Sequence, residues 1–455
     1  MNTRLMTPRI AFSLALAALL LPVAPARAQD KATLDLLVKK NIITQDEAAG
    51  LAKSSAEPGI VAGPKDPNVK SLRIEGLIQS QFDWLSTSDK STAAGAANPP
   101  AEEQFLLRRA YLGALIDMGN GWGGEIVFDF ATGSKVAGGY QGVAPASITP
   151  QPNFEKIIVT RKLDDWNAVA TAGYRKVNFT LEEYTPTTVI KPIERSILSN
   201  YFDGGYKGAK NQRIGFAARH DGLFWDGKIS DTGVFYGLAV TNGIQSSTAY
   251  APTGGLNRFG GWAYVGYNGT VGADLSYMTG LNYGYSQDGN SLATQANSVW
   301  GYNPYLRVNY GKGLQVDAEF IQAMITNGRG TGPAGATTQR VAPFGFNITP
   351  SYKISDQWEL MARYTYLNTN GRGTNISDVV TNAPDVTSAG PLFDDAQSFY
   401  AGLNWNVMGD SVKILMGYEW DEFTHRETGA AITDSNLTGP RANVSGFRVR
   451  AQLQF

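Results

Sequence analysis

From about residue 71 to residue 455 the chain runs through alternating apolar and polar stretches, and the gaps between them are short and long in turn. Short gaps fall at residues 119–121, 269–270, 311–312, 355–356 and 408–410. Long polar gaps fall at residues 86–103, 133–152, 286–297, 327–342, 368–396 and 424–442. A period of two sends successive side chains to opposite faces of a strand. In the run opened by Ser71, Leu72, Ile74, Ile78, Phe82 and Trp84 share a face that suits hydrocarbon; Arg73, Glu75, Gln79, Gln81 and Asp83 share one that suits water. Residues 122–130 and 412–421 repeat the pattern, whereas residues 153–163 and 167–179 commit to neither face. Two-faced strands with turns at one end and loops at the other describe an antiparallel barrel crossing a membrane, turns periplasmic and loops outside. The expected fold is all-β: a transmembrane antiparallel β-barrel of about sixteen strands with a short N-terminal helical segment.

The N-terminus agrees. Arg4 and Arg9 precede an apolar run from Ile10 to Ala24, then Ala26-Arg27-Ala28, the layout of a secretory signal peptide cut after Ala28. Residues 29–68 read as a periplasmic helical segment and linker. Leu34, Leu37 and Val38 share a helical face, Thr44-Gln45-Asp46-Glu47 forms a capping box, and Pro58, Pro64 and Pro67 mark the linker. The barrel then occupies residues 69–455.

The chain has no cysteine, so disulfides and thiolate metal sites are excluded; a closed barrel, with every strand edge paired, is one way to stabilise such an exported chain. The formal charge is −1, and without Arg4, Arg9 and Arg27 there remain 36 basic against 40 acidic residues, or −4. That balance gives no signature of nucleic-acid binding. All nine tryptophans fall near strand borders, as the aromatic girdles of a barrel require. Nothing in the pattern calls for a cofactor or a metal. The two histidines lie outside any hydrolase motif, and His220 beside Asp221 is the one hint of a barrel hydrolase; a solvated histidine at a strand end explains it better.

The stretch from Ala172 to Phe202, AGYRKVNFTLEEYTPTTVIKPIERSILSNYF, resembles a region of the phosphate-selective porins O and P: Lys176, Phe179, Leu181-Glu182 and Glu194-Arg195-Ser196 follow that family's pattern. Arg108-Arg109-Ala110-Tyr111-Leu112-Gly113 with Glu125 and Asp129-Phe130-Ala131 resembles its second and third strands. The segment Leu36-Leu37-Val38-Lys39-Lys40 with Thr44-Gln45-Asp46-Glu47 is similar to its N-terminus. Tyr174 and Asn178 depart from the family's Gln and Pro, which leaves the ligand open rather than the fold. The resemblance implies an outer-membrane homotrimer in a Gram-negative envelope, embedded in outer-membrane lipid, with a third loop that narrows the pore. It also implies that the terminal Phe455 is the signal read by the barrel-assembly machinery.

Residues 180–211 point the same way. Val189, Ile190, Ile193, Ile197, Leu198, Tyr201 and Phe202 are too apolar for a hydrated loop, so the segment is expected to fold into the barrel. Arg175, Lys176, Lys191, Arg195, Lys207, Lys210 and Arg213 would then line a constriction against Glu182, Glu183, Glu194 and Asp203, a surplus suited to small anionic solutes. Arg73, Arg219, Arg307 and Arg363 would stand on the lumen wall. Any one of these cations can instead brace the loop through Glu194 or Glu182. The function expected is passive diffusion of small anions, phosphate or polyphosphate included. The alternatives are a general or carbohydrate-selective pore and, from another class, the barrel hydrolase.

Overall fold

The computed structural model describes residues 60–61, 69–89, 101–131, 153–204, 213–243, 259–287, 298–326, 340–383, 392–427 and 442–455. The signal peptide, the N-terminal helical segment, Lys207 and Lys210 lie outside the described residues. All the elements below belong to one compact unit, Val61–Phe455.

Among the described residues sixteen long strands follow one another: β1 (Ser71–Asp89), β2 (Glu102–Gly119), β3 (Trp122–Asp129), β4 (Asn153–Leu163), β5 (Ala168–Lys176), β6 (Arg219–Lys228), β7 (Val234–Asn242) and β8 (Phe259–Val271) form the first half. The second half is β9 (Leu275–Gln287), β10 (Ser298–Tyr310), β11 (Leu314–Ile325), β12 (Phe344–Lys353), β13 (Trp358–Asn368), β14 (Leu392–Asn406), β15 (Val412–Glu427) and β16 (Ala442–Gln454). Each pairs antiparallel with its neighbour, and β16 closes on β1 from Ala442 opposite Asp89 to Gln454 opposite Leu77. Closure matters in lipid, where an unpaired backbone amide finds no water. At the seam Phe455 extends the ladder: its N–H donates to the Gly76 carbonyl at 3.1 Å, and its own carbonyl accepts from Gly76 N–H at 2.9 Å. The Phe455 ring lies over Gly76 where any β-carbon would collide with it.

The wall is inverted relative to a soluble protein. Leu223, Leu238 and Val240 are each 60 % exposed or more on the outer face, whereas Gln79, Gln81, Asp83, Arg448 and Arg450 are buried on the inner one. An apolar outside and a polar inside is what a bilayer selects. Trp122 and Trp166 sit outward near the short-turn end and Trp84 and Trp420 outward nearer the long-loop end. Trp262 departs from the girdle: it points inward and packs on Phe216 and Phe179.

Two connections differ from their sequence reading. Residues 269–270 are strand, and the turn falls at residues 272–274, with Gly272 at φ 64°. Gly269 lacks a side chain because the Tyr277 ring occupies that space, not because the chain reverses there. Residues 368–396, expected to lie wholly outside, split in two. Residues 369–383 turn into the barrel mouth, where the short helix Ile376–Val379 is buried, and β14 resumes at Leu392.

The long loops and short turns define opposite ends. Exposed Ala101, beside the first long loop, and exposed Lys312, in a short turn, are clean reporters because the chain has no cysteine. On intact cells an impermeant, pore-excluded maleimide is expected to label Ala101→Cys and spare Lys312→Cys; the reverse pattern inverts the barrel. Thr374 would be a poor reporter, being 1 % exposed.

Candidate pore constriction

The third long connection leaves β5 and enters the lumen. Thr180 caps the helical turn α1 (Leu181–Tyr184) by accepting from Glu183 N–H at 3.2 Å, and Ser196 caps α2 (Ile197–Phe202) by accepting from Ser199 N–H at 3.1 Å. These caps satisfy donors at helix starts that have no water to turn to. The wall completes the task for α1: Glu319 of β11 accepts from Leu181 N–H at 2.8 Å and Glu182 N–H at 3.3 Å, and also from Asn303 and Asn347.

The apolar part of the loop is anchored separately. Phe179, Ile197, Leu198, Tyr201 and Phe202 are buried in a cluster with Leu367, Phe393, Phe423 and Val444 of the wall and with Ile376, Val379 and Val380 of the second inward segment. Asn200 Nδ2 donates to the Val379 carbonyl at 2.8 Å, which ties the two inward segments together, and Arg448 of the wall donates to the Thr381 carbonyl at 2.8 Å. Tyr400 lies flat on the wall across Gly417, where a β-carbon has no room, and its hydroxyl accepts from Ile193 N–H at 3.3 Å.

Charges hold the remainder. Glu194 is gripped by two arginines from the wall. Arg108 of β2 donates Nε to Oε1 at 2.6 Å and Nη2 to Oε2 at 2.8 Å, and Arg450 of β16 donates to Oε1 at 2.6 Å. Burial opposes ionisation of Glu194, yet Arg108 and Arg450 hold its carboxyl well below the usual carboxylate range. Glu183 is likewise shared, by Lys176 at 2.6 Å and by Arg195. Asp203 goes the other way: burial and then the nearby Glu183 push it well above the usual range, although Thr180 and Ser199 donate to it.

Arg108 and Arg109 both reach the lumen because β2 bulges there. Gln79 of β1 faces Arg109 while Ser80 faces Leu107, leaving Arg108 as the extra residue. A bulge re-aims side chains in this way. Ahead of it Phe105 and Leu107 face outward, and beyond it Leu112 and Ile116 do, so the outward parity changes from odd to even. Arg109 donates to Gln79 Oε1 at 2.8 Å and, among the described residues, has no carboxylate in ion-pair range. The sequence reading omitted these two arginines from the site; the parity change at Arg108-Arg109 was the signal available.

The other expected residues divide. Arg195 and Lys176 share Glu183 and lie within electrostatic reach of Arg109, while Arg108 and Arg450 share Glu194. Lys191 stands apart: it crosses to the far wall, donating to Glu359 at 2.6 Å and Ser351 at 2.5 Å. Arg175 pairs with Asp226 at 2.9 Å over the Phe224 ring, Arg219 with Glu155, and Arg307 with Asp317 at 2.7 Å. Arg363, fully buried behind the loop, donates to Glu182 at 2.9 Å and to the Glu194 carbonyl at 2.9 Å. Arg213 is partly buried at the loop's return, and Arg73 is exposed near the turn end of β1. His220 is buried, not solvated; its ring nitrogens lie 3.1 and 3.2 Å from the carbonyls of Phe216 and Asn242.

A closed sixteen-strand wall, apolar outside and narrowed from within by a seated third loop, is the architecture of a porin. The chain belongs to the phosphate-selective porin O and P family, whose model matches residues 87–455, and it is therefore an outer-membrane porin. Among solved structures it is similar to the outer membrane channel DcaP of Acinetobacter baumannii, at 13% identity over 87% of this chain and 100% of that one, with a TM-score of 0.54. An anion-selective porin from Comamonas acidovorans gives 11% identity over 85% and 99% with a TM-score of 0.55. Pseudomonas putida OprB gives 12% identity over 89% and 97% with a TM-score of 0.51. A search of curated proteins returned no match.

Removing the charge that seats the loop is the direct test of this arrangement. Glu194→Gln leaves Arg108 and Arg450 buried with one neutral acceptor, and breaking a buried pair of this kind costs about 3–5 kcal/mol. The variant is expected to show larger, noisier single-channel currents in planar bilayers and a lower unfolding temperature. Wild-type currents would mean the apolar anchor alone seats the loop.

Proposed function

We propose that this porin passes small anions by passive diffusion, inorganic phosphate among them, and selects them where the third loop meets β2, β5 and β16. The observation that carries this is the sharing of carboxylates. Glu183 serves both Lys176 and Arg195, Glu194 serves both Arg108 and Arg450, and Arg109 has no carboxylate in ion-pair range among the described residues. Five cations against two ionised carboxylates leave positive charge in a narrow, partly dehydrated passage, where screening is weak. The raised Asp203 does little to cancel it. Guanidinium groups suit the oxygens of phosphate.

Two other readings lose ground on particular side chains. A carbohydrate-selective pore needs aromatic rings free to stack, but Phe179, Phe216, Phe224 and Trp262 are consumed in the packed cluster beside the loop. A hydrolase would need His220 against a nucleophile, and its nitrogens face backbone carbonyls instead. We place the protein in the outer membrane of a Gram-negative cell, as a homotrimer whose apolar outer wall meets lipid, following exported routing by residues 1–28.

Replacing Arg109 and Lys176 together by Gln is expected to move the reversal potential in a KCl gradient toward cations and to weaken phosphate block of chloride current. These two are chosen because neither holds Glu194, as Arg108 and Arg450 do, nor ties the loop to the far wall, as Lys191 does through Glu359. An unchanged reversal potential would make the passage a general pore. A second expectation concerns Phe455, which pairs with Gly76 at the closing seam. Deleting it should lower the yield of protein in the outer membrane while the channels that do assemble conduct as wild type. Undiminished yield would remove its recognition role.

A further inference from the structure

The inward loop hides nearly all of its apolar side chains, Phe179, Ile197, Leu198, Tyr201 and Phe202 among them. Of its large apolar residues only Tyr184 and Val189 are exposed, at 41 % and 42 %. Tyr184 closes α1 and stacks on no other ring among the described residues. An aromatic face left in lumen water is unfavourable to the free channel and open to a solute.

The wall beside Tyr184 presents further rings. Phe235 of β7 stands opposite Gly266 of β8, and Tyr264 of β8 stands opposite Gly237 of β7. Each ring lies across the partner strand's glycine, where a β-carbon would collide with it, and the two centroids are 6.2 Å apart. Both residues point inward, Tyr264 on the same parity as Trp262, and both are half-buried. One face of each ring therefore rests on the wall and the other is turned to the lumen. Tyr305 of β10 lies over Gly280 in the same manner and closes the back of the group. Tyr184 is within electrostatic reach of the Tyr264 and Tyr305 hydroxyls, so loop and wall bring their rings to one place, on the short-turn side of the seated loop.

Polar groups at this place are largely spent. Tyr264 donates its hydroxyl to Asp226 Oδ1 at 2.7 Å, and Asp226 Oδ2 accepts from Arg175 at 2.9 Å. A sugar would leave hydroxyls unpaired there, which is costly. A planar ring matches what is offered, since aromatic faces and edges attract one another beyond simple burial.

We propose that Tyr184, Phe235 and Tyr264 form a ring-binding surface for small aromatic carboxylates, whose charge is admitted at the constriction and whose ring stacks here on the way to the short-turn end. The charge of this solute class rests on the anion preference proposed above; its ring rests on these side chains alone.

The test measures chloride current through the full-length channel in planar bilayers while benzoate, cyclohexanecarboxylate or glucose is added from the short-turn side. The two carboxylates carry the same charge and are close in size, so the ratio of their half-blocking concentrations reports the planar ring and not the ion sign. Benzoate is expected to block at about fivefold lower concentration, the worth of one aromatic pair. Tyr184→Leu and Phe235→Leu should each lower that advantage. Tyr184 is exposed, so its replacement tests the surface even where loss of Phe235 disturbs the wall. Arg109→Gln with Lys176→Gln should weaken block by both carboxylates together and leave their ratio, which separates loss of anion preference from loss of the ring surface. Equal block by the two carboxylates in the wild type, an unchanged ratio in the Tyr184 variant, or block by glucose as strong as that by benzoate would each overturn the surface.

Discussion

Every charged group inside this barrel is set against the same constraint: the wall that excludes lipid also limits the water available to its contents. A guanidinium at 0–2 % exposure, as in Arg363, Arg448 and Arg450, persists only where protein groups replace its hydration. Arg448 meets Asp83 at 3.2 Å, Glu419 at 3.1 Å and the Thr381 carbonyl at 2.8 Å; Arg450 meets Gln81 as well as Glu194. The inward loop is therefore not an insertion tolerated by a preformed tube. It brings Glu182, Glu194 and backbone carbonyls that the wall's arginines require. In exchange the wall supplies Glu319, Glu359 and the apolar cluster that the loop requires.

The sequence disclosed the parts of the fold that depend on contrast between neighbours in the chain. Lipid and water on opposite faces give the sharpest alternation a strand can carry, so β1, β3, β15 and β16 were legible residue by residue. Glycine was a poorer guide, since Gly269 marks space for a tyrosine ring and Gly272 marks the turn. The second inward segment carries Ile376, Val379 and Val380, the same apolar excess that singled out residues 180–211. Its inward course could have been argued on the same ground.

Ion pairing was beyond reach for a physical reason. Glu194 and Arg450 are 256 residues apart, and Lys191 and Glu359 are 168 apart. Counting cations against carboxylates within residues 175–213 treated each charge as if it faced the same water. The structure sorts them by partner instead. Lys191 is neutralised on one wall, Arg195 and Lys176 divide a single carboxylate on the other, and Asp203 is shifted toward its neutral form by burial. The surplus proposed above therefore falls on different residues, Arg109 foremost.

The location of that proposed surplus would link selectivity to assembly. Gln79, Gln81 and Asp83 belong to the first strand, Arg108 and Arg109 to the second, and Arg448 and Arg450 to the last. The hydrogen bonds from Arg450 to Gln81 and from Gln79 to Gln452 cross the closing seam itself. An open sheet, with β16 apart from β1, holds Arg450 without Gln81 and has no second arginine for Glu194. The loop's charged half then lacks half of its grip, and the proposed cationic passage has only one side. The proposed filter would come into being with the ring, because the side chains assigned to it include Arg450, whose burial becomes tolerable only once the last strand has met the first.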